Sequence, residues 1–527
     1  MLRALTAPRG MVTAPHHLAA QAGAAVLRDG GTAVEAMVAA AATVAVVYPH
    51  MNSLGGDGFW LISEPGKDPI GIDACGRAAS LASPGFYTDH GDQAIPSRGP
   101  RAANTVAGAI SGWQLALELT GSRLPLPRLL QDAIAYAKDG TPVTQSQVNY
   151  TTRFLGELAD QPGFADTYLH DGTAPRAGEA QRFPALAATL TRMAERGLDD
   201  FYRGEIARAM AAELERLGSP LRLADLQRHA ATRVTPLQTA LRVGTLYNLP
   251  PPTQGLASLL ILAIFDRLRG DAKADSFAHV HGLVEATKQA FLVRNREICD
   301  PAAMRIDPAA LLADARLAEH LAAIDPLRAR PWPEPAITGD TVWMGAADHD
   351  GRMVSYIQSV YWEFGSGVTL ADTGITWQNR GSSFSLDPAS HLVIAPGRKP
   401  FHTLNPALAR LGDGRTMVYG NMGGDGQPQT QAAVFSRHAM FGQDLQHAIT
   451  APRWLLGRTW GQMSVSLKLE NRFDPALIAA LREAGHDVEV VDAFSDVVGH
   501  AGALVRDRHG TIAGATDPRS DGVVAAY

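Results

Sequence analysis

The feature that most constrains this chain is a change of texture near residue 340. Upstream, from residue 11 to about 240, Ala/Leu-rich stretches with helical spacing alternate with Gly/Pro-rich loops. Residues 15–28, 32–47, 127–138 and 184–217 read as helical, and Phe59-Trp60-Leu61-Ile62 as a strand. Residues 247–255 hold Pro250-Pro251-Pro252, a rigid loop that introduces an apolar helix over 256–268, and another helix spans 277–294. Downstream the pattern turns to strands. Residues 342–347 and 353–360 flank Asp348-His349-Asp350-Gly351 as a hairpin, and Leu504-Val505 and Thr511-Ile512 flank a second. Residues 463–469 alternate as a half-buried strand. Asp474-Pro475 opens a helix that Gly485 closes, and a strand follows over 488–491. Helices gathered before strands in one chain predict a layered α+β core. Between the two regions, residues 322–337 carry Pro326, Pro331, Pro333 and Pro335 among charges, which predicts an exposed, mobile linker.

Composition narrows the function classes. With 527 residues, ~2–4 conventional units would fit. Hydrophobic residues make up 46% and charged residues 19%, which supports a large core and excludes extensive disorder. A net charge of −6 without a basic block argues against a nucleic-acid partner. Two cysteines, Cys75 and Cys299, exclude a disulfide framework and fit a reducing compartment. The first eight residues lack the apolar core of a secretory signal. The most apolar stretch, 36–47, falls short of the ~20 residues that span a bilayer. It follows Gly30-Gly31 and the capping box Thr32-Ala33-Val34-Glu35, so it reads as a buried helix of a cytoplasmic protein with no membrane partner.

Several chemistries can be set aside. There is no Walker A sequence, His-Glu-x-x-His, Cys-x-x-Cys or Gly-x-Ser-x-Gly. His16-His17 are neighbours on a helix start and point in different directions, so neither metal nor cofactor is expected. Gly55-Gly56-Asp57-Gly58 and Gly423-Gly424-Asp425-Gly426 are either turns or runs of open backbone N–H groups suited to an oxyanion. Asp340-Thr341 ends a loop and opens a strand. If that bond is cut, Thr341 carries its own α-amine beside its hydroxyl, and an amine of pKa near ~8 can take the hydroxyl proton. Taken alone, the dipeptide reads better as an ordinary strand start.

Segments in order along nearly the whole chain nevertheless add up. They are Met11-Val12-Thr13-Ala14-Pro15-His16, Gly30-Gly31-Thr32-Ala33-Val34-Glu35-Ala36 and Pro49-His50-Met51-Asn52-Ser53-Leu54-Gly55-Gly56-Asp57-Gly58-Phe59. Thr105-Val106-Ala107-Gly108, Leu249-Pro250-Pro251-Pro252, Val284-Glu285-Ala286-Thr287-Lys288 and Gly339-Asp340-Thr341 follow. Phe364-Gly365-Ser366-Gly367, Pro400-Phe401-His402-Thr403-Leu404-Asn405-Pro406 and Gly423-Gly424 complete the series. The chain resembles the γ-glutamyltransferase family of N-terminal-nucleophile hydrolases. The resemblance implies a four-layer αββα sandwich and a precursor cut between Asp340 and Thr341. A large subunit, 1–340, and a small one, 341–527, then form one unit, with a dimer of such heterodimers left open. It implies that Thr341 attacks an amide carbonyl, that the Gly423 and Gly424 amides stabilise the oxyanion, and that water releases the acyl group. Ser359 falls where the family has a second hydroxyl bonded to the nucleophile; the alternative is a strand hydroxyl facing a neighbour.

Departures from the family pattern bear on the substrate. Ser383 stands where the family has the aspartate that holds a substrate α-amino group, and Arg380 where it has a glutamine. Tyr361 replaces an asparagine, and His402-Thr403 replace a serine pair that binds the α-carboxylate. Cys75 takes the place of an arginine, with Arg77 two residues on. An ammonium without a carboxylate partner and beside Arg380 is disfavoured, whereas Arg380 can grip a carboxylate in bidentate fashion. The alternative for Arg380 is a surface salt bridge. The expected substrate is a small carboxylate-bearing amide without an α-amino group, as in a branch resembling oxamate amidohydrolase, which forms oxalate and ammonia in purine-nitrogen catabolism. The competing readings are a γ-glutamyl hydrolase or transferase acting on glutathione, a glutaryl-type acylase, and a non-catalytic scaffold.

Overall fold

The computed structural model describes residues 3–333, 341–457 and 464–527. Two seven-stranded antiparallel sheets lie at its centre. In the first, the order is Val523–Ala526, Met11–Ala14, Val342–Ala347, Met353–Ser359, Asp57–Ser63, Ile70–Ala74 and Thr232–Val234. In the second it is Leu5–Ala7, Ile512–Thr516, Ala501–Arg506, Thr416–Asn421, Ala407–Leu411, Gly244–Asn248 and Leu237–Leu241. Both sheets mix strands from either side of residue 340, so neither part of the chain is a separate domain.

Three apolar clusters define four layers. Phe59, Trp343, Ile357, Leu408, Val418 and Leu504 pack between the sheets. Helices His17–Arg28, Ala33–Val47 and Ala109–Thr120 cover the outside of the first sheet. Helices Gly255–Leu268, Phe277–Glu297 and Gly426–Phe435 cover the second. This is the expected αββα sandwich. Helix Ala33–Val47 starts on a complete capping box, with Thr32 accepting from the Glu35 N–H and Glu35 from the Thr32 N–H. Every one of its residues is buried. A helix buried all round needs this local start signal, because periodicity cannot tell it from a core strand.

Trp343 links the two sheets beside the site. Its ring lies so close to Gly420 and Gly502 that a β-carbon at either would fall 2.1 and 2.5 Å from it. Those glycines face each other in register in the second sheet. Their missing side chains make the slot for the indole, whose Nε1 donates to Ser355 Oγ at 2.9 Å.

Both hairpins form as expected, and Asp474 caps the helix Pro475–Glu483. Three differences stand out. The region before residue 240 holds more strands than the one expected, among them Met11–Ala14 and Ile70–Ala74, and Ala407–Leu411 and Thr416–Asn421 were also missed. Met11–Ala14 is buried on both faces, so it lacks the alternation that reveals a half-exposed strand. The 184–217 stretch is broken into Pro184–Arg196, Asp200–Arg203 and Glu205–Leu217, with Gly197 at φ 93° ending the first helix. The predicted linker is exposed at several side chains, yet its backbone is docked where it is described. Ala329 N–H donates to Ala484 O, Arg330 N–H to Glu285, and Lys288 Nζ to Arg330 O. Met463, the first residue of one expected strand, lies outside the described residues; Leu467–Glu470 pairs with Trp454–Leu456 and Val488–Val491.

Candidate functional site

Register places four sequence-distant residues in one row. Val342 pairs with Gln358, so Thr341 lies opposite Ser359. Ser359 pairs with Asp57. Gly58 pairs with Ala74, which sets Cys75 opposite Asp57. Paired residues share a face, and this face is the one that carries Trp343, Ile357 and Phe59 toward the second sheet. Thr341, Ser359, Asp57 and Cys75 therefore line up between the sheets at one end of the sandwich. Thr341 is fully buried, and Gln427 Nε2 donates to its Oγ1 at 3.4 Å. Ser359 Oγ accepts from the Tyr361 N–H at 2.8 Å. Asp340 lies outside the described residues.

Gly423 and Gly424 sit where the second sheet hands over to a helix. They follow strand Thr416–Asn421, precede helix Gly426–Phe435, and have φ of 121° and 46°. Both angles favour glycine over any residue with a β-carbon. Among the described residues, neither N–H of the pair has an acceptor within hydrogen-bond reach. Two adjacent free N–H groups in a positive-φ turn are suited to bind an oxyanion. A polar brace fixes the turn. Gln254 Nε2 donates to Gly424 O at 2.8 Å and to Thr403 O at 2.7 Å, while its Oε1 accepts from Arg294 at 3.0 Å. Arg294 also pairs with Asp425 at 2.6 Å. Gln427 Oε1 accepts from the Asn405 N–H at 3.2 Å, which aims its Nε2 at Thr341. Sequence reasoning missed Gln254, Arg294, Asn405, Asp425 and Gln427. The available signal was polar residues inside otherwise apolar helices and beside the quoted glycine and proline segments.

Arg380 is the unusual group. It is fully buried in the short helical turn Arg380–Ser383. Nη1 donates to Thr403 Oγ1 at 3.0 Å, and the guanidinium lies over the Tyr361 ring, 3.2 Å from its centroid. Nε and Nη2 have no partner among the described residues. Burial pulls its pKa below the ordinary arginine value, and Tyr361, Cys75 and Asp57 act in the opposite sense. The surface salt-bridge alternative for Arg380 is thereby removed. Tyr361 holds φ at 84°, a conformation rare outside glycine, which brings its ring under Arg380.

His402 is buried, and its Nε2 lies 3.0 Å from Asp57 Oδ2. Burial lowers its pKa to about 4 despite Asp57, so the ring is neutral at neutral pH. Asp57 Oδ1 accepts from the N–H groups of Gly76 at 2.9 Å and Gly108 at 3.1 Å and from Gln378 at 3.0 Å. Burial, then Asp57 and Asp73, push the Cys75 thiol well above its usual value. Asp57, Cys75 and His402 come within metal-ligand reach of one another, as do His281, Glu285 and His486. In the first group Asp57 meets His402, while the Cys75 thiol donates to Gly76 O at 3.5 Å; in the second, His281 meets His486 at 2.9 Å and Glu285 pairs with Lys288 at 2.7 Å.

Two predicted residues are committed elsewhere. Ser383 Oγ donates to Phe401 O at 3.2 Å. Arg77 is exposed and donates to Gly397 O at 3.0 Å. It lines two surface clefts of about 340 and 590 Å³; Cys75 lies in the wall of the smaller. The structure thus gathers Thr341, Ser359, Tyr361, Arg380, His402, Thr403, Gly423 and Gly424 between the sheets and leaves Arg77 outside.

An αββα sandwich with a buried threonine opening a central strand is the architecture of the N-terminal-nucleophile hydrolases. The gamma-glutamyltranspeptidase family model matches residues 19–527. The chain belongs to that family, and it is a hydrolase acting on amide bonds. It is 59% identical over 522 residues, covering 98% of both chains, to the oxamate amidohydrolase proenzyme of Klebsiella pneumoniae. It is 39% identical, covering 99% of both, to the glutathione hydrolase-like YwrD proenzyme of Bacillus subtilis. Among solved structures, cephalosporin acylase from Bacillus halodurans superposes with a TM-score of 0.91 at 33% identity, covering 100% of this chain and 97% of that one. Among the described residues, no helix is long and apolar enough to cross a membrane.

Proposed function

We propose that this protein is a self-processing amidohydrolase that converts oxamate to oxalate and ammonia. Cleavage after Asp340 separates a large subunit, 1–340, from a small one, 341–527, that begins at the nucleophile. The α-amine of Thr341 takes the proton from its own Oγ1, which attacks the amide carbonyl. Gln427 and Ser359 orient the hydroxyl, and the Gly423 and Gly424 N–H groups receive the oxyanion, a donor of this kind being worth ~3–4 kcal/mol in barrier height. The proton held by the α-amine passes to the departing nitrogen, ammonia leaves, and water hydrolyses the ester to release oxalate and restore the Thr341 hydroxyl. The observation that carries the substrate is the buried Arg380 guanidinium, two of whose nitrogens have no partner among the described residues. Buried donors left unpaired are costly, and a substrate carboxylate supplies acceptors for them.

The proenzyme names of both relatives support processing, and the name of the Klebsiella pneumoniae relative supports the substrate. A γ-glutamyl substrate fits less well, because its ammonium would meet Arg380 and find Ser383, already bonded to Phe401 O, in place of a carboxylate. Cytoplasmic hydrolysis of oxamate from purine nitrogen is the physiological setting that this reading implies. Purified, self-cleaved protein should release ammonia from oxamate; release no greater than that of a Thr341→Ala control refutes the assignment.

A further inference from the structure

We propose that His402, held in one tautomer by Asp57, reads an N–H of the substrate's amide and so restricts this site to amides next to a carboxylate. The inference rests on the oxamate reading above. It starts from hydrogen-bond arithmetic. Asp57 lies at 0% exposure and His402 at 1%. With Oδ1 of Asp57 taken by the Gly76, Gly108 and Gln378 donors, its Oδ2 meets His402 Nε2. A carboxylate only accepts, so the ring proton sits on Nε2. The other ring nitrogen, Nδ1, then carries a lone pair and can only accept.

That acceptor is buried and has no partner among the described residues. Buried acceptors are normally paired, and the Arg380 guanidinium is near enough to act electrostatically on this ring. The neighbouring residue, Thr403, holds Arg380 Nη1 at 3.0 Å, and Arg380 Nε and Nη2 likewise have no partner among the described residues. Asp57 is two strands from Thr341 in the same row, ~10 Å at the usual strand spacing. A ligand that bridges this row between the Thr341 hydroxyl and the His402–Arg380 pair is one of few atoms. Its carboxylate meets the Arg380 donors, and its amide N–H meets the His402 lone pair. An ester of the same size offers no N–H, so it leaves Nδ1 unpaired. His402 is the specificity-determining group, and Asp57 is a positioning residue that acts through it.

The test compares oxamate with monomethyl oxalate, which keeps the carboxylate and the carbonyl but lacks an N–H. In His402→Leu, kcat/KM for oxamate should fall about tenfold or more, while that for the ester stays within about twofold. In His402→Asn, which returns an acceptor near the position of Nδ1, the preference for the amide should recover in part. A purely structural role lowers both substrates together and overturns the proposal. Histidine 15N chemical shifts of the unaltered protein, assigned by difference against His402→Asn, provide a second readout that does not depend on the leucine variant folding. Protonated Nε2 is expected, moving to Nδ1 in Asp57→Asn; protonated Nδ1 in the unaltered protein overturns the proposal. Failure of the oxamate reading is distinct, because the unaltered enzyme would then release no ammonia from oxamate at all.

Discussion

Replacing Arg380 with methionine separates binding from folding. The side chain is fully buried, donates to Thr403 Oγ1, and stacks on Tyr361. Methionine keeps the apolar stem and removes the charge. If Arg380 grips the substrate carboxylate through Nε and Nη2, the variant leaves that carboxylate buried and unpaired, at a cost of ~2–5 kcal/mol. That corresponds to a fall in kcat/KM of roughly 30- to 4,000-fold, since every ~1.4 kcal/mol is tenfold. Folding stability should move the other way or not at all. The free protein holds this guanidinium out of water with no partner for two of its nitrogens among the described residues, and an apolar replacement removes that desolvation cost. Ammonia release from oxamate and a thermal melt on the same preparation check both. Oxalate should raise the melting temperature of the unaltered protein and leave that of Arg380→Met unchanged. An Arg380→Met enzyme with kcat/KM within threefold of the parent, or one that has lost its fold, refutes the reasoning.

Other outcomes follow from the same geometry. Gln427→Leu removes the donor to Thr341 Oγ1 and the acceptor for Asn405, and should lower kcat ~10- to 100-fold with a smaller change in KM, measured by steady-state kinetics. Gly420→Ala drives a β-carbon into Trp343 and should cost ~1–3 kcal/mol of stability, read as a lowered denaturation midpoint. Acid should destabilise the fold as pH falls below ~6.5. His16, His279, His486 and His500 have pKa values lowered to about 3, and His229 and His402 to about 4, chiefly by burial. The unfolded chain binds those protons first, near pH ~6.5, so stability is full above that pH and is lost as pH falls toward 4. A melting temperature that stays flat from pH 7 to 4 contradicts those burial-driven shifts.

What the sequence disclosed depended on how local the signal was. Thr32 and Glu35 announce a helix through contacts three residues apart, and the Asp348–Gly351 turn announces a hairpin, so both were legible. Strands buried on both faces carry no alternation, and Met11–Ala14 was silent for that reason. The site divides in the same way. Gly423-Gly424 and the threonine after Asp340 stand out as motifs, whereas Gln254, Arg294 and Asn405 act only through partners from distant segments. Arg380 was recognised by type, but its burial comes from the fold. Cys75 and Asp57 illustrate the limit: a thiol and a glycine-flanked acid become neighbours in one row only when register is known.

The central claim is that activity begins when the chain is cut before Thr341. Intact-mass spectrometry of freshly made protein, sampled alongside ammonia release from oxamate, tests it directly. The full-length chain should give way to two fragments, the smaller beginning at Thr341, with activity rising in step, and Thr341→Ala should remain one inactive chain. Full activity from an uncut chain, or a smaller fragment that begins at any other residue, contradicts the account.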